Sequence, residues 1–192
     1  MRDRLLEFLL SPEVLDLVEP VIGPDIGLWS SHFISKAAGV GRATPWHEDS
    51  AYWNGSISTL EGICTMWLAL DEATRENGCM KVIPGSHIAG AAGFSDYEEV
   101  SKEKNIFHIQ IKPEQVDEGA AVYFELQPNQ CSLHEARIIH GADANTSSRR
   151  RAGYTMRYFP TTSKVLVRRT EDGGRFWLAR GQDRAGNQFE NA

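Results

Sequence analysis

Cysteine is scarce in this chain and follows no pattern. Cys64, Cys79 and Cys131 are its three cysteines, and none forms a C-x-x-C pair. That spacing gives no disulfide framework and no zinc ribbon, and it suits a reducing, cytoplasmic setting. Positive charge is also in short supply. Twenty Lys and Arg stand against 26 Asp and Glu, for a net charge of -6 and a pI near 5.5, which argues against a general nucleic-acid or anionic-membrane surface. No apolar run reaches membrane-spanning length. The N-terminal stretch Leu5-Leu6-Glu7-Phe8-Leu9-Leu10 is interrupted by Glu7 and has no small-residue cleavage signal. There is no internal repeat. What remains is 192 residues, 41% of them hydrophobic, enough for one buried core and hence for a single domain over residues 1–192.

Residues 2 to 22 read as two helices. Ser11 is placed to cap the second, Pro12 to occupy its first position, and Val14, Leu15, Leu17 and Val18 to form its apolar face, with Gly23-Pro24 as the stop. Beyond Gly23 the pattern shortens. Ile26 to Lys36, Ile63 to Leu70, Cys79 to Ile83, Ile106 to Ile111, Ala120 to Phe124, Gln130 to Ile139 and Ala152 to Phe159 are β-compatible runs separated by Gly, Pro, Asn and Asp turns. They predict a mainly β protein, a sandwich or jelly roll with short N-terminal helices. Gly90 to Lys104 reads as an inserted loop or short helix with a solvated face. In the tail from Thr170, Phe176, Trp177 and Leu178 are the strong apolar anchor.

The chemistry concentrates at Trp46-His47-Glu48-Asp49. On an extended segment His47 and Asp49 leave the same face and can grip one ion. A second histidine downstream would complete a two-histidine, one-carboxylate facial triad, the donor set of non-haem Fe(II) oxygenases. H-x-D alone is a weak signal, and a surface loop in which the two side chains only bond each other explains it equally well. Pro45 before the pair and Tyr52-Trp53-Asn54-Gly55 after it suit a cleft. His134 and His140 both lie near the end of the strand-like run Cys131 to Ile139, and their even separation gives them the same parity. His140 is the better third donor, because Ile138-Ile139 precede it and Gly141 permits a sharp departure from the sheet. His134 then reads as a core histidine or one that orients a ligand. His87 reads as a structural hydrogen-bond donor, and His32 and His108 as ordinary strand residues.

Arg149-Arg150-Arg151 has two readings. A solvated loop accounts for one or two of the three. Arg151 opens the run Ala152 to Phe159, and on a rigid element a guanidinium offers a fork for a carboxylate. An acidic cosubstrate chelating the ion at one end and held by Arg151 at the other would use both features.

Taken in order, Thr44-Pro-Trp-His-Glu-Asp-Ser-Ala-Tyr-Trp53, Met66-Trp-Leu-Ala-Leu70, Asn77-Gly-Cys-Met-Lys-Val-Ile-Pro-Gly-Ser-His87 and His140-Gly-Ala-Asp-Ala-Asn145 followed by Arg151 resemble the phytanoyl-CoA dioxygenase family. The resemblance covers about residues 26 to 160. It implies a double-stranded β-helix of cupin type that uses Fe(II), 2-oxoglutarate and O2. It assigns His47, Asp49 and His140 to the iron, Arg151 to the distal carboxylate of 2-oxoglutarate, and Trp67 to a place beside that cosubstrate. It also favours His140 over His134, since the family's ligand is the histidine of a His-Gly pair. Ala142 stands where relatives commonly carry Ser, and relatives usually have a longer region before the segment equivalent to Gly23 to Lys36.

The chemistry implied is oxidative decarboxylation to succinate and CO2, coupled to oxidation of a small organic substrate. Asp49 favours hydroxylation, because related halogenases replace this carboxylate with a small residue. Tyr52, Trp53, Phe94 and Tyr97 are candidates to face the substrate. Lys36, Arg42, Lys102 and Lys104 form no phosphate motif, so a small organic acid, lipid or secondary metabolite is expected rather than a CoA thioester. The competing readings are a non-catalytic or metal-sensing β-helix binding protein and a cupin-type hydrolase or isomerase, which would have no use for Arg151. The sequence carries no signal for oligomeric state.

Overall fold

The computed structural model describes residues 2–88, 95–167 and 174–190; Phe94 lies outside them. The chain opens with α1 (Arg2–Leu9) and α2 (Pro12–Ile22). Pro12 sits in the first turn of α2, where an N–H has no helical partner anyway, and Gly23 ends the helix at φ 92°. Ser11 stands at the N-cap position, but its side chain makes no cap bond. Its carbonyl instead accepts from the backbone N–H groups of Val14 and Leu15. Leu17 faces away from the core at 49% exposure, so the apolar stripe of α2 is Val14, Leu15 and Val18. With Leu9 these side chains cover Ile26, Leu28, Met66, Tyr154, Met156 and Tyr158 of a sheet. Each fully buried aliphatic side chain there contributes about 1.5–3 kcal/mol. The Tyr158 hydroxyl donates to the Leu9 carbonyl at 2.8 Å, which fixes the helix pair on the sheet.

The strands are β1 (Ile26–Lys36), β2 (Thr44–His47), β3 (Cys64–Ala69), β4 (Met80–Val82), β5 (Tyr97–Glu99), β6 (Ile109–Ile111), β7 (Val122–Tyr123), β8 (Cys131–Glu135), β9 (His140–Ala142), β10 (Arg151–Pro160) and β11 (Trp177–Arg180). Five form one sheet in the order β11-β1-β10-β3-β8, and four form a second in the order β2-β9-β4-β7. β5 and β6 make a separate ribbon. Every strand pair is antiparallel. The chain passes repeatedly from one sheet to the other, which is the double-stranded β-helix of a cupin-like jelly roll.

Side-chain alternation divides the large sheet into two faces. On β10 and β3, Tyr154, Met156, Tyr158 and Met66 face the helices. The alternate set, Arg151, Gly153, Thr155 and Arg157 on β10 with Thr65, Trp67 and Ala69 on β3, faces the second sheet. A register shift between Leu28 and Ser30 places a bulge at Trp29 in β1. The extra residue reverses the alternation, so that Leu28 packs under the helices while Lys36, paired with Arg151, turns inward.

Two sequence-based expectations change here. The run Gln130 to Ile139 is not one strand: β8 ends at Glu135, whose carboxylate accepts from the backbone N–H and the side chain of Arg137 at 2.7 and 2.8 Å, and β9 starts in the other sheet. The inserted segment carries β5 at Tyr97–Glu99 in place of a loop or short helix. Among the described residues, no helix is long and apolar enough to cross a membrane.

Candidate functional site

His47 closes β2, and Asp49 stands at the entry to α3 (Ser50–Trp53) with φ -58° and ψ -35°. The two were expected to share one face of an extended segment; a helical turn converges them instead, with His47 Nε2 3.9 Å from Asp49 Oδ1. His140 on β9 is the direct cross-strand partner of His47, and their ring centroids are 4.1 Å apart. One donor atom from each of His47, Asp49 and His140 lies within 4.8 Å of the other two, and all three residues are buried. Metal–ligand bonds of about 2 Å place donors about 3 Å apart, so modest side-chain rotations close this set on one ion.

The same local device orients both imidazoles. His47 Nδ1 lies 2.9 Å from the Pro45 carbonyl and His140 Nδ1 lies 3.0 Å from the Ile138 carbonyl. A carbonyl only accepts, so each Nδ1 carries the proton and each Nε2 keeps a lone pair for a cation. Burial, helped by neighbouring His140, holds His47 down to about 3, so its ring is neutral at physiological pH. Burial works against ionisation of Asp49, but the Arg157 guanidinium and the surrounding His140, His47 and His134 together outweigh it and keep the carboxyl well below the usual range. Asp49 Oδ2 is engaged by Thr65 Oγ1 at 3.4 Å and Arg157 Nε at 3.5 Å, while Oδ1 faces His47. Two imidazoles that present Nε2 and an oriented carboxylate fit a divalent transition metal such as Fe(II).

His134 stands outside this set. It lies opposite Thr65 on β8, in the sheet facing His140, with ring centroids 4.8 Å apart. The two histidines therefore approach from different sheets, not from one strand with shared parity. His134 is buried, and neither ring nitrogen has a hydrogen-bond partner among the described residues. His87 Nδ1 is likewise without one, contrary to a role as donor through that atom. His32 faces inward on β1, with its ring nitrogens 3.1 and 3.2 Å from Arg157 Nη1.

Arg149 and Arg150 are exposed and pair with Glu72 and Asp71. Arg151 is 3% exposed, and its Nε and Nη2 donate to the Gly78 carbonyl at 3.0 and 2.7 Å. Its guanidinium carbon lies 5.2 Å from the Trp67 ring. Burial lowers Arg151 to about 10, which leaves it charged at neutral pH. Gly78 has φ +78°, and a Cβ there would come within 2.3 Å of the Asp143 carbonyl, so glycine is required on both counts. Lys36 joins this end of the interior, with Nζ donating to the Ala142 carbonyl at 3.1 Å. The inner face of the large sheet thus runs from Arg157 and Thr65 beside the donor set, past Thr155 and Trp67, to Arg151.

Arg157 is the functional candidate that sequence reasoning missed. Its signal was its even separation from Arg151 within one strand, which puts both guanidiniums on one face. Beside Asp49 lies a cavity of about 510 Å³, whose lining includes Tyr52, Trp53 and Arg157. Tyr97, expected near a substrate, packs instead with Trp46, Ile111 and Ile139 and accepts from the Glu48 backbone N–H at 3.2 Å.

The family model for phytanoyl-CoA dioxygenase (PhyH) matches residues 2–153. Human peroxisomal phytanoyl-CoA dioxygenase is 30% identical over 146 residues, which is 73% of this chain and 41% of the human protein. A probable phytanoyl-CoA dioxygenase of Caenorhabditis elegans is 28% identical over 160 residues, 80% of this chain and 50% of that protein. The chain spans about half the length of the curated relatives it matches. Among solved structures, the apo form of the non-heme monooxygenase ThoJ is similar with a TM-score of 0.78 and 25% identity, covering 96% of this chain and 64% of ThoJ. EvdO2 from Micromonospora carbonacea var. aurantiaca, complexed with 2-oxoglutarate, has a TM-score of 0.64 and 25% identity, covering 81% of this chain and 63% of EvdO2. The donor set suits Fe(II), and the similar EvdO2 structure holds 2-oxoglutarate, which together support use of both. On the family match across residues 2–153 and the shared jelly roll, the chain belongs to the phytanoyl-CoA dioxygenase family.

Proposed function

We propose that the protein is a single-domain, non-haem Fe(II) oxygenase that uses 2-oxoglutarate and O2 to hydroxylate a small organic substrate. In this reading His47, Asp49 and His140 hold the iron. Arg151 takes the distal carboxylate of 2-oxoglutarate, and Trp67 lies along the cosubstrate. Iron and 2-oxoglutarate, when bound, supply the oxidising chemistry and release succinate and CO2.

The chain's own residues position and protect that chemistry. The carbonyls of Pro45 and Ile138 fix both imidazoles in the tautomer that offers Nε2. Thr65 and Arg157 hold one oxygen of Asp49 and leave the other for the ion. The observation that carries the reading is the convergence of three buried donors at one end of an interior whose other end holds the buried Arg151. An ionised Asp49 fills the position that a halide would need, which favours hydroxylation over halogenation. The free cysteines are compatible with a reducing compartment such as the cytoplasm.

Anaerobic titration of the purified protein with Fe(II) and 2-oxoglutarate tests this. The visible charge-transfer band of the chelate is expected, followed by succinate release once O2 is admitted. A protein that produces no band is a β-helix binding protein and not an enzyme of this kind.

A further inference from the structure

We propose that the cavity beside Asp49 receives a flat, mainly apolar small molecule bearing one carboxylate, and that Arg157 pairs with that carboxylate. This rests on the iron and 2-oxoglutarate reading of the neighbouring donors and adds the substrate class.

The cavity, about 510 Å³, falls within the range of small-molecule sites. Its walls are rings: Trp29, Tyr52, Trp53, Phe107 and Phe176 all line it. Trp29 and Trp53 lie 5.8 Å apart at 31°, and Phe159 supports Trp29 edge-on at 5.8 Å and 86°. Alternation from Leu28 puts Trp29 on this side, at the bulge in β1. Held rings of this kind favour a flat guest that can stack.

Two polar groups in the wall indicate what else the guest carries. Ser56 is 2% exposed, and its Oγ has no hydrogen-bond partner among the described residues, so it can bond a polar edge of a ligand. Arg157 is the stronger determinant. Its guanidinium carbon lies 5.3 Å from the Trp53 ring, Nη1 rests against the His32 ring and Nε faces Asp49 Oδ2. An imidazole accepting from a guanidinium supplies no negative charge. Asp49 is the only carboxylate among the described residues lining the cavity, and its charge is shared with the ion once iron is held. Arg157 then lacks a full counter-charge in a partly dry pocket, and a substrate carboxylate supplies one with fork geometry. The only other cation among the described residues of the lining, Arg175, is exposed; the pair does not make the basic cluster that a string of phosphates would need.

Calorimetric titration of the full chain with 2-naphthylacetate and with its neutral twin, 2-naphthylacetamide, tests the assignment. Saturating Mn(II) and 2-oxoglutarate keep the acid off the iron and Arg151 sites. The acid is expected to bind about tenfold more tightly than the amide. Arg157→Gln should erase that preference while changing amide affinity by no more than about threefold, and Arg157→Lys should restore part of it. If Arg157 only orients Asp49, acid and amide bind the wild type alike, and that outcome overturns the proposal, as does failure of both to bind. The wild-type ratio decides even if Arg157→Gln does not fold. Binding of Mn(II) and 2-oxoglutarate is measured separately on the same samples. Its loss with the acid preference intact sinks the oxygenase reading and leaves Arg157 as the carboxylate partner, whereas the opposite result sinks only the substrate class.

Discussion

The indole of Trp67 occupies the space that a side chain at Gly153 would need on the neighbouring strand. A Cβ at Gly153 would sit 2.1 Å from Cζ2 and 2.4 Å from Cε2 of that ring. The glycine is therefore there for the close approach of the ring, and the ring in turn lies beside Arg151. Gly153→Ala is predicted to displace the indole and destabilise the fold by about 1–3 kcal/mol in urea unfolding. Adding Trp67→Leu should recover part of that loss, because the clash is pairwise. Strictly additive losses in the double variant would show that the contact is not the cause.

Arg151 carries a prediction that separates cosubstrate binding from metal binding. Arg151→Lys keeps the charge but loses the fork that grips the Gly78 carbonyl through two nitrogens. Metal affinity should stay within about threefold, and 2-oxoglutarate affinity should fall by about tenfold or more. Equilibrium titrations with Mn(II) and then 2-oxoglutarate measure both; unchanged 2-oxoglutarate affinity would remove Arg151 from the cosubstrate site.

His134 and His140 separate by metal dependence. Both are buried, but only His140 belongs to the donor set. Because the His134 nitrogens have no partner among the described residues, His134→Leu removes a buried polar group without orphaning another and should leave stability unchanged or raised by about 1 kcal/mol. Its metal affinity should be close to wild type. His140→Leu should lose metal binding. A His134→Leu protein that no longer takes up Mn(II) would make His134 a ligand and contradict the assignment.

Acid lability has a defined sign. Burial holds His47 and His134 down to about 3 in the fold, against about 6.5 for a free imidazole. As pH falls through about 6.5 the unfolded chain takes up these protons while the folded chain does not, so stability from these groups is present above that pH and drains away toward pH 3. Two such groups give up to about 3 kcal/mol per pH unit near pH 5. Asp49 adds nothing to this window, since its lowered ionisation matters only below about pH 4. Urea midpoints of the metal-free protein at about pH 7.5, 6 and 5 should fall in that order; a flat series would mean that the buried imidazoles are already compensated.

Much of the fold was legible because its signals are local. β1 was expected over Ile26 to Lys36 and has those bounds. Turn chemistry located β3 and β10 to within one residue at each end. β2 and β11 were not delineated, because both are short and their burial depends on distant neighbours: His140 for one, the edge of β1 for the other.

The local metal motif was visible for a different geometric reason than the one that operates. Extended spacing suggested a shared face for His47 and Asp49, whereas a strand end followed by a helical turn brings them together. Arg151 was read as the opening of a strand and the arginines before it as a solvated loop, and the structure has Arg149 and Arg150 exposed and Arg151 buried. Parity failed for His134 and His140, because the Glu135–Arg137 contact turns the chain from one sheet to the other between them. The bulge at Trp29 was equally hidden, since an extra residue in a strand leaves no trace in composition.

β10 is a ruler. Arg151 and Arg157 lie six residues apart on one face of it, and at about 3.3 Å per residue their Cα atoms are separated by about 20 Å. Covalent geometry fixes that span, and the pairing of β10 with both β1 and β3 keeps it straight. Side chains around the aromatic cavity can therefore change to admit differently shaped guests without altering the distance from the metal donors to Arg151. A one-residue insertion between the two arginines would have the opposite effect, because it would turn one of them out of the interior while the rest of the barrel kept its form.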